Sequence, residues 1–177
     1  INVLKNDLVA NNIISIMGIV NGTTNYILTR MYEENGDFQE ILKEAQELGY
    51  AEADPTADIG GFDAARKVAI LASIAYNSRV TLDDVYVEGI EKISALDIDA
   101  ARKLGYVIKL LGIAREQEGE IEARVHPVMI PKKHPLASVG DTFNAVFVTG
   151  DAVGETMFYG PGAGELPTAN SVLSDIT

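Results

Sequence analysis

Helical spacing governs the first half of this chain and strand-like runs govern the second. Ile13-Ile-Ser-Ile-Met-Gly-Ile-Val20 is a short β-branched apolar run bounded by polar residues, which predicts a buried strand. Asn21-Gly-Thr-Thr-Asn25 turns it, and Asn25 or Thr24 is placed to cap a helix over residues 26–34. Glu34-Asn-Gly-Asp37 breaks that helix, and Asp37-Phe-Gln-Glu40 has capping-box spacing for the next. The second helix carries Phe38, Ile41, Leu42, Ala45 and Leu48 on one stripe and ends at Gly49, a natural residue for the turn past a helix. A carboxylate-rich loop follows, then a helix from residue 63 to about 77 whose segment 68–75 is apolar enough to be buried nearly all round.

Beyond it, residues 85–90 have β character and residues 98–105 form a short helix stopped by glycine. Residues 106–115 and 121–130 are β-rich runs joined by the charged Glu116-Gln-Glu-Gly-Glu120 turn, hence a hairpin. Residues 144–149 and 155–159 make a second hairpin across Gly150-Asp-Ala-Val-Gly154, and a last helix spans 168–176. Helices first and antiparallel strands later, without a βαβ rhythm, predict an α+β fold: a mixed, largely antiparallel sheet with helices on one face. With no second helix layer for the other face, a second copy dimerising through the sheet is the expected cover.

Composition narrows the class. The 177 residues make one domain's worth of core, with hydrophobic content of 47% and charged content of 23%, as in ordinary globular proteins. A net charge of −12 argues against a nucleic-acid partner, which demands a basic face. No apolar run approaches the roughly eighteen residues of a membrane span. The absence of cysteine excludes disulfides and thiolate metal sites, and the first residues lack the features of a secretory signal, so a cytoplasmic location is expected.

The candidate chemistry lies in Gly49-Tyr-Ala-Glu-Ala-Asp-Pro-Thr-Ala-Asp-Ile-Gly-Gly-Phe-Asp-Ala-Ala-Arg-Lys67. Glu52, Asp54, Asp58 and Asp63 crowd the loop, and Lys67 follows Asp63 at helical spacing, so the two share a helix face. Apolar residues behind such a lysine and carboxylates beside it equip it to exchange a proton with an alcohol or carbonyl oxygen. The same spacing also suits a lysine that lays its stem on apolar surface and its ammonium in water. Asp63, at the start of a helix, is also placed as an N-cap. Asp54 and Asp58 stand between solvent and direct ligand contact. Glu52, Asp54, Thr56 and Asp58 alternate as calcium ligands do, but the required turn glycine is Ala57 and Pro55 stiffens the loop, so no metal site is assigned. Gly160-Pro-Gly162-Ala-Gly164 could admit a dinucleotide close to its backbone, or could be an ordinary turn before the last helix. His126 and His134 show no ligand spacing and take no role.

Glu52-Ala-Asp54-Pro55, Asp58-Ile-Gly-Gly and Asp63-Ala-Ala-Arg-Lys67 together resemble the substrate loop and catalytic helix of homoserine dehydrogenases. Gly18-Ile-Val-Asn-Gly-Thr-Thr-Asn25 resembles that family's strand-to-helix glycine turn. Tyr159-Gly-Pro-Gly-Ala-Gly-Glu-Leu-Pro-Thr-Ala169 resembles the segment on which the family's chain returns to its cofactor. The resemblance covers almost the whole chain. It implies an oxidoreductase that interconverts L-homoserine and L-aspartate 4-semialdehyde with NAD or NADP, on the route to threonine, methionine and isoleucine. It implies Lys67 as the proton-transferring lysine, Glu52 and Asp63, with Asp58, as substrate-binding carboxylates, and Gly49, Gly162 and Gly164 near the cofactor. It further implies a homodimer formed through this domain. Residues 1–177 would then be the catalytic and dimerisation domain, with about 160–177 returning toward a nucleotide-binding domain outside this sequence. The family's monovalent-cation site and a second lysine would lie upstream of Ile1, and the fragment alone would be inactive. The competing expectations are an acidic dimerisation or binding module without chemistry, and a dehydrogenase of another amino-acid semialdehyde. An acyl-forming semialdehyde dehydrogenase is excluded because it needs a nucleophilic cysteine.

Overall fold

A computed structural model describes residues 1–176 of the chain. Six strands form one sheet: β1 (Ile13–Ile19), β2 (Tyr86–Val87), β3 (Tyr106–Gln117), β4 (Glu120–Pro131), β5 (Phe143–Gly150) and β6 (Gly154–Pro161), in the order β2-β4-β3-β1-β5-β6. All neighbours pair antiparallel except β2, which lies parallel to β4. The expected α+β sheet is therefore present, with both hairpins in place. Of the β-like run 85–90 only two residues pair; Glu88 gives its N–H to the Val125 carbonyl, and the chain then turns away through Gly89.

Strand alternation sorts the sheet residues between two cores. On one face Ile108, Leu110, Ala114, Ala123 and Val125 pack against α1 (Gly22–Glu34), α2 (Phe38–Glu47), α4 (Phe62–Ala75) and α5 (Ala95–Lys103). On the other, Ile19, Val107, Leu111, Ile130, Ala145 and Phe147 pack beneath Leu136 and Val139, carried by the short helical turn Pro135–Ser138. Leu111 and Leu136 are wholly buried there, and each such side chain stabilises the fold by about 1.5–3 kcal/mol relative to exposure. The face away from the helices thus has its own cover over its centre. Met157 and Tyr159 of β6 stay exposed beside it.

Several boundaries differ from the sequence expectation. Helix α1 begins at Gly22, and its cap is Asn21, whose extended backbone lets Oδ1 accept from the Thr24 N–H at 2.9 Å. Thr24 and Asn25 lie inside the helix and are buried. Asp37 caps α2 through the Gln39 N–H, and Gly49 follows the helix with φ +77°, as its position suggested. Leu48 leaves the α2 stripe and is exposed, because the chain is already unwinding there. A further short helix, α3 (Thr56–Ile59), forms inside the carboxylate loop. Helix α4 starts one residue earlier than expected, behind Gly61, so Asp63 sits within its first turn and is not its cap. Ile70 of α4 is half exposed, so the helix presents one face to solvent instead of being buried all round.

The close approach of α4 to the sheet is what positions the site. Gly18 of β1 pairs with Gly112 of β3, and a Cβ on Gly112 would come 2.2 Å from a Val68 methyl. With no side chain at Gly112, Val68 seats directly on the sheet, and its neighbour Lys67 reaches the end of β1.

Candidate active site

A cleft of about 480 Å³ opens where the end of β1, the start of α1, the α3–α4 loop and the end of β6 meet. Its walls include Asn21, Asp58, Asp63, Lys67, Asn144 and Gly162. Lys67 Nζ donates to Asp63 Oδ2 at 2.7 Å, across one helical turn, and to the Val20 carbonyl at 2.9 Å. Its side chain remains 46% exposed, which leaves the ammonium reachable from the cleft. An ammonium has three N–H bonds, and these two partners leave one for an incoming oxygen.

Asn21 organises the carboxylates. Its side-chain amide donates to Asp58 Oδ1 at 2.7 Å and to Asp63 Oδ2 at 2.9 Å, while its Oδ1 caps α1. Every hydrogen-bonding position of that buried amide group is engaged, so its orientation is fixed from three sides. Two carboxylates on different elements are thereby held facing one space. Thr23 Oγ1 donates to the Tyr50 carbonyl at 2.7 Å and ties the segment around Gly49 to α1.

The glycines of the cleft are constrained. Gly49 and Gly164 have φ of +77° and +112°, values that side chains rarely adopt. A Cβ on Gly162 would lie 2.1 Å from Asn144 Nδ2. Asn144 Oδ1 is buried with no hydrogen-bond partner among the described residues.

Of the residues singled out in the sequence, Asp58, Asp63, Lys67, Gly49, Gly162 and Gly164 line this one cleft. Glu52 does not. It is exposed, two residues past the lining residue Tyr50, and its backbone carbonyl accepts from Gln46 Nε2. Asp54 also stays outside. It accepts from the Thr56 N–H and hydroxyl at the start of α3, and those bonds hold its carboxyl below the usual range.

Comparison with known proteins decides the family. A profile described as homoserine dehydrogenase matches residues 1–177. The chain belongs to the homoserine dehydrogenase family. It is 55% identical to the homoserine dehydrogenase of Bacillus subtilis, over 98% of this chain and 40% of that protein. It is 57% identical to that of Synechocystis, over 98% of this chain and 41% of that protein. The crystal structure of a homoserine dehydrogenase from Thiobacillus denitrificans superposes with a TM-score of 0.97 at 50% identity, covering 99% of this chain and 41% of that one. A mutant hyperthermophilic archaeal homoserine dehydrogenase in complex with NADPH superposes with a TM-score of 0.82 at 31% identity, covering 99% of this chain and 50% of that one. The chain therefore spans about 40% of the length of the curated homoserine dehydrogenases it matches.

Two buried residues hold hydrogen bonds that the sequence alone leaves unassigned. In the sequence Asn21 stands as part of a turn. Its signal was an Asn three residues before Thr24 at a strand–helix junction, the spacing of an N-cap. In the sequence Lys109 stands as one residue of a β-rich run. Its signal was a lone charge inside Val107-Ile-Lys-Leu-Leu111, which must be buried with the strand.

Proposed function

We propose that this chain is the substrate-binding and catalytic portion of an enzyme that interconverts L-homoserine and L-aspartate 4-semialdehyde with NAD or NADP. The observation that carries the reading is the Lys67 ammonium, fixed by Asp63 and the Val20 carbonyl in a cleft that also holds Asp58. In the reducing direction Lys67 gives a proton from Nζ to the aldehyde oxygen as the carbon receives hydride, and the alcohol forms. In the oxidising direction a neutral Lys67 takes the hydroxyl proton. Asp63 and Asp58 face the amino-acid end and pair with its ammonium, and Glu52 adds negative charge from the margin of the cleft.

The cleft suits a flat nicotinamide ring on its glycine side. Gly162 leaves no room for a side chain of its own beside Asn144, and Gly49 and Gly164 bring backbone close without a Cβ. Gly49, Gly162, Gly164 and Asn144 would hold that end of the cofactor. When bound, the nicotinamide carries the hydride to or from the substrate carbon. The nucleotide end falls to a domain outside these residues, toward which about 160–177 return. Helix α6 (Glu165–Ile176) supports this, since Leu166, Val172 and Ile176 on it are exposed.

The reading extends to a homodimer through the sheet, supported by the exposed Met157 and Tyr159 beside the second core. It also extends to a cytoplasmic enzyme of threonine, methionine and isoleucine synthesis; no helix among the described residues is long and apolar enough to cross a membrane. The deciding experiment is steady-state kinetics of Lys67→Ala in the full-length enzyme. General acid–base assistance is worth roughly 10²–10⁴ in rate, so kcat should fall by about that factor with KM for homoserine little changed. A near-normal kcat at the pH optimum would leave Lys67 as a surface lysine and end the proposal.

A further inference from the structure

Lys109 lies on β3 with 4% of its surface exposed, and its side chain reaches α1. Its ammonium meets three neutral acceptors: Asn25 Oδ1 at 2.9 Å, Thr29 Oγ1 at 3.2 Å and the Val139 carbonyl at 2.7 Å. No salt bridge joins it to a carboxylate among the described residues. Burial pushes this lysine down to about 8, with Glu33 of α1 and Asp141 of the neighbouring loop acting in the opposite sense. A buried ammonium costs several kcal/mol of desolvation unless its bonds are well made. A charge kept here is matched by three well-made bonds, and what those bonds hold in place is the question.

Those bonds converge on one segment. Asn25, oriented by Lys109, turns its own amide to the Val139, Asp141 and Phe143 carbonyls at 3.2, 3.0 and 3.1 Å. The segment 139–143 contains Asp141 with φ +51°, a left-handed conformation that is costly for a non-glycine residue and is held here by its carbonyl's bond to Asn25. Two consequences reach the cleft directly. Thr142 packs its carbonyl against the start of α1, where a Cβ on Gly22 would come 2.8 Å from it. Phe143 pairs in register with Pro161, and Asn144 with Gly160, so the pinned segment sets the last rung of the β5–β6 ladder. The next residue beyond that rung is Gly162, against which Asn144 lies.

We propose that Lys109 and Asn25 form a buried latch that positions the 139–144 wall of the cleft and, through the last rung of β5–β6, the Gly162–Gly164 turn. Lys109 is thus a positioning residue for the cofactor side of the site, an inference that rests on the proposed function in assigning that turn to the cofactor. Lys67 and the carboxylates take their own hydrogen bonds from Asn21 and Val20, so the latch acts first on the glycine side of the cleft, and meets the other side where Thr142 packs on the start of α1.

The test is Lys109→Met in the full-length enzyme, read by kinetics and by amide hydrogen exchange. Loss of a charged, buried hydrogen-bond donor should raise KM for the nicotinamide cofactor roughly tenfold. KM for homoserine and kcat at saturating cofactor should stay within about twofold, since neither rests on the latch. Exchange should accelerate at 139–144 and at 158–160, the last paired amides of β6, and nowhere near Lys67. Unchanged exchange in those two segments would overturn the latch, as would a uniform loss of activity tracking the loss of folded protein. Accelerated exchange with an unmoved cofactor KM would uphold the latch and tell against the cofactor assignment of the glycine turn. Should Lys109→Met fail to fold, Asn25→Ser decides. It keeps the lysine bonded to Val139 and frees the Asp141 and Phe143 carbonyls, so the same two segments should loosen; if they do not, the latch is wrong.

Discussion

Two lysines some forty residues apart in sequence show how differently one functional group can be held. Lys67 sits on a helix at a cleft, nearly half exposed, bonded to a carboxylate and one backbone carbonyl. Lys109 sits in a strand, sealed from water, bonded to an amide oxygen, a hydroxyl and a carbonyl. The first keeps one N–H and an open approach, so its partners can change when a ligand arrives. The second has all three N–H bonds engaged and no approach, so it can only hold what it touches. On the proposed reading, what would separate chemistry from architecture here is access and unspent bonding capacity, and not charge.

The comparison breaks most sharply on turnover. With Lys67→Ala and Lys109→Met assayed side by side in the full-length enzyme, the first should lose roughly 10²–10⁴ in kcat and the second almost nothing at saturating cofactor. Comparable losses in both would mean that the distinction between an open and a sealed lysine does not describe this site.

The next largest effect is on stability against pH, and belongs to Lys109. The unfolded chain holds the Lys109 proton up to about 10.5, whereas the folded chain releases it above about 8. Between those values the unfolded state binds more protons, so stability rises with pH across that window, and the cost of burying the charge is fully present below it. The shift corresponds to at most about 3 kcal/mol. Urea titrations of the full-length enzyme from about pH 7.5 to 10 should show the native protein gaining stability relative to Lys109→Met, with the difference confined to that window. Parallel curves would mean that Lys109 is not sealed.

What the sequence displayed of all this depended on how local the determinant was. The hairpins of β3–β4 and β5–β6 were legible because alternation and turn residues lie within a few positions of one another. Asp63 and Lys67 were legible as a pair because one helical turn joins them. Asn21 was not, because its bonds to Asp58 and Asp63 span 37 and 42 residues and exist only once β1, α3 and α4 have packed. The cover over the second sheet face was missed for the same reason: Leu136 and Val139 come from a four-residue turn and its edge, too short to register as a layer. The Lys109 latch is the extreme case, with partners 80 and 84 residues away on α1.

Asn21 supplies an intermediate effect that separates its two duties. Asn21→Ala removes the α1 cap, worth about 1 kcal/mol, and also the donor shared by Asp58 and Asp63, so both the thermal midpoint and the affinity for homoserine should fall. Asn21→Asp keeps a capping oxygen but sets a third carboxylate against the other two. It should keep most of the cap's contribution while still losing homoserine affinity. If Asn21→Asp bound homoserine as well as the native protein, the amide bridge would be irrelevant to the cleft.

The smallest effect should come from Glu52, and it bears on where the carboxylate side of the cleft ends. Asp63 lines the cleft, touches Lys67 and Asn21 and is 31% exposed, whereas Glu52 is exposed and outside the lining. A charge in solvent is screened and contributes modestly at the distances of a cleft margin. Removing Asp63's charge with Asp63→Asn leaves α4 uncompromised at its start, because the residue preceding the helix is Gly61 and not Asp63. It also frees Lys67 from its carboxylate partner among the described residues. Asp63→Asn should therefore raise KM for homoserine by a factor of ten or more, on the scale of a charged hydrogen bond worth roughly 1.5–3 kcal/mol. Glu52→Ala should raise it by only about two- to threefold, on the scale of an exposed ion pair. Equal effects would mean that the loop closes when substrate binds and carries Glu52 from the margin into contact, making it a direct ligand like Asp63.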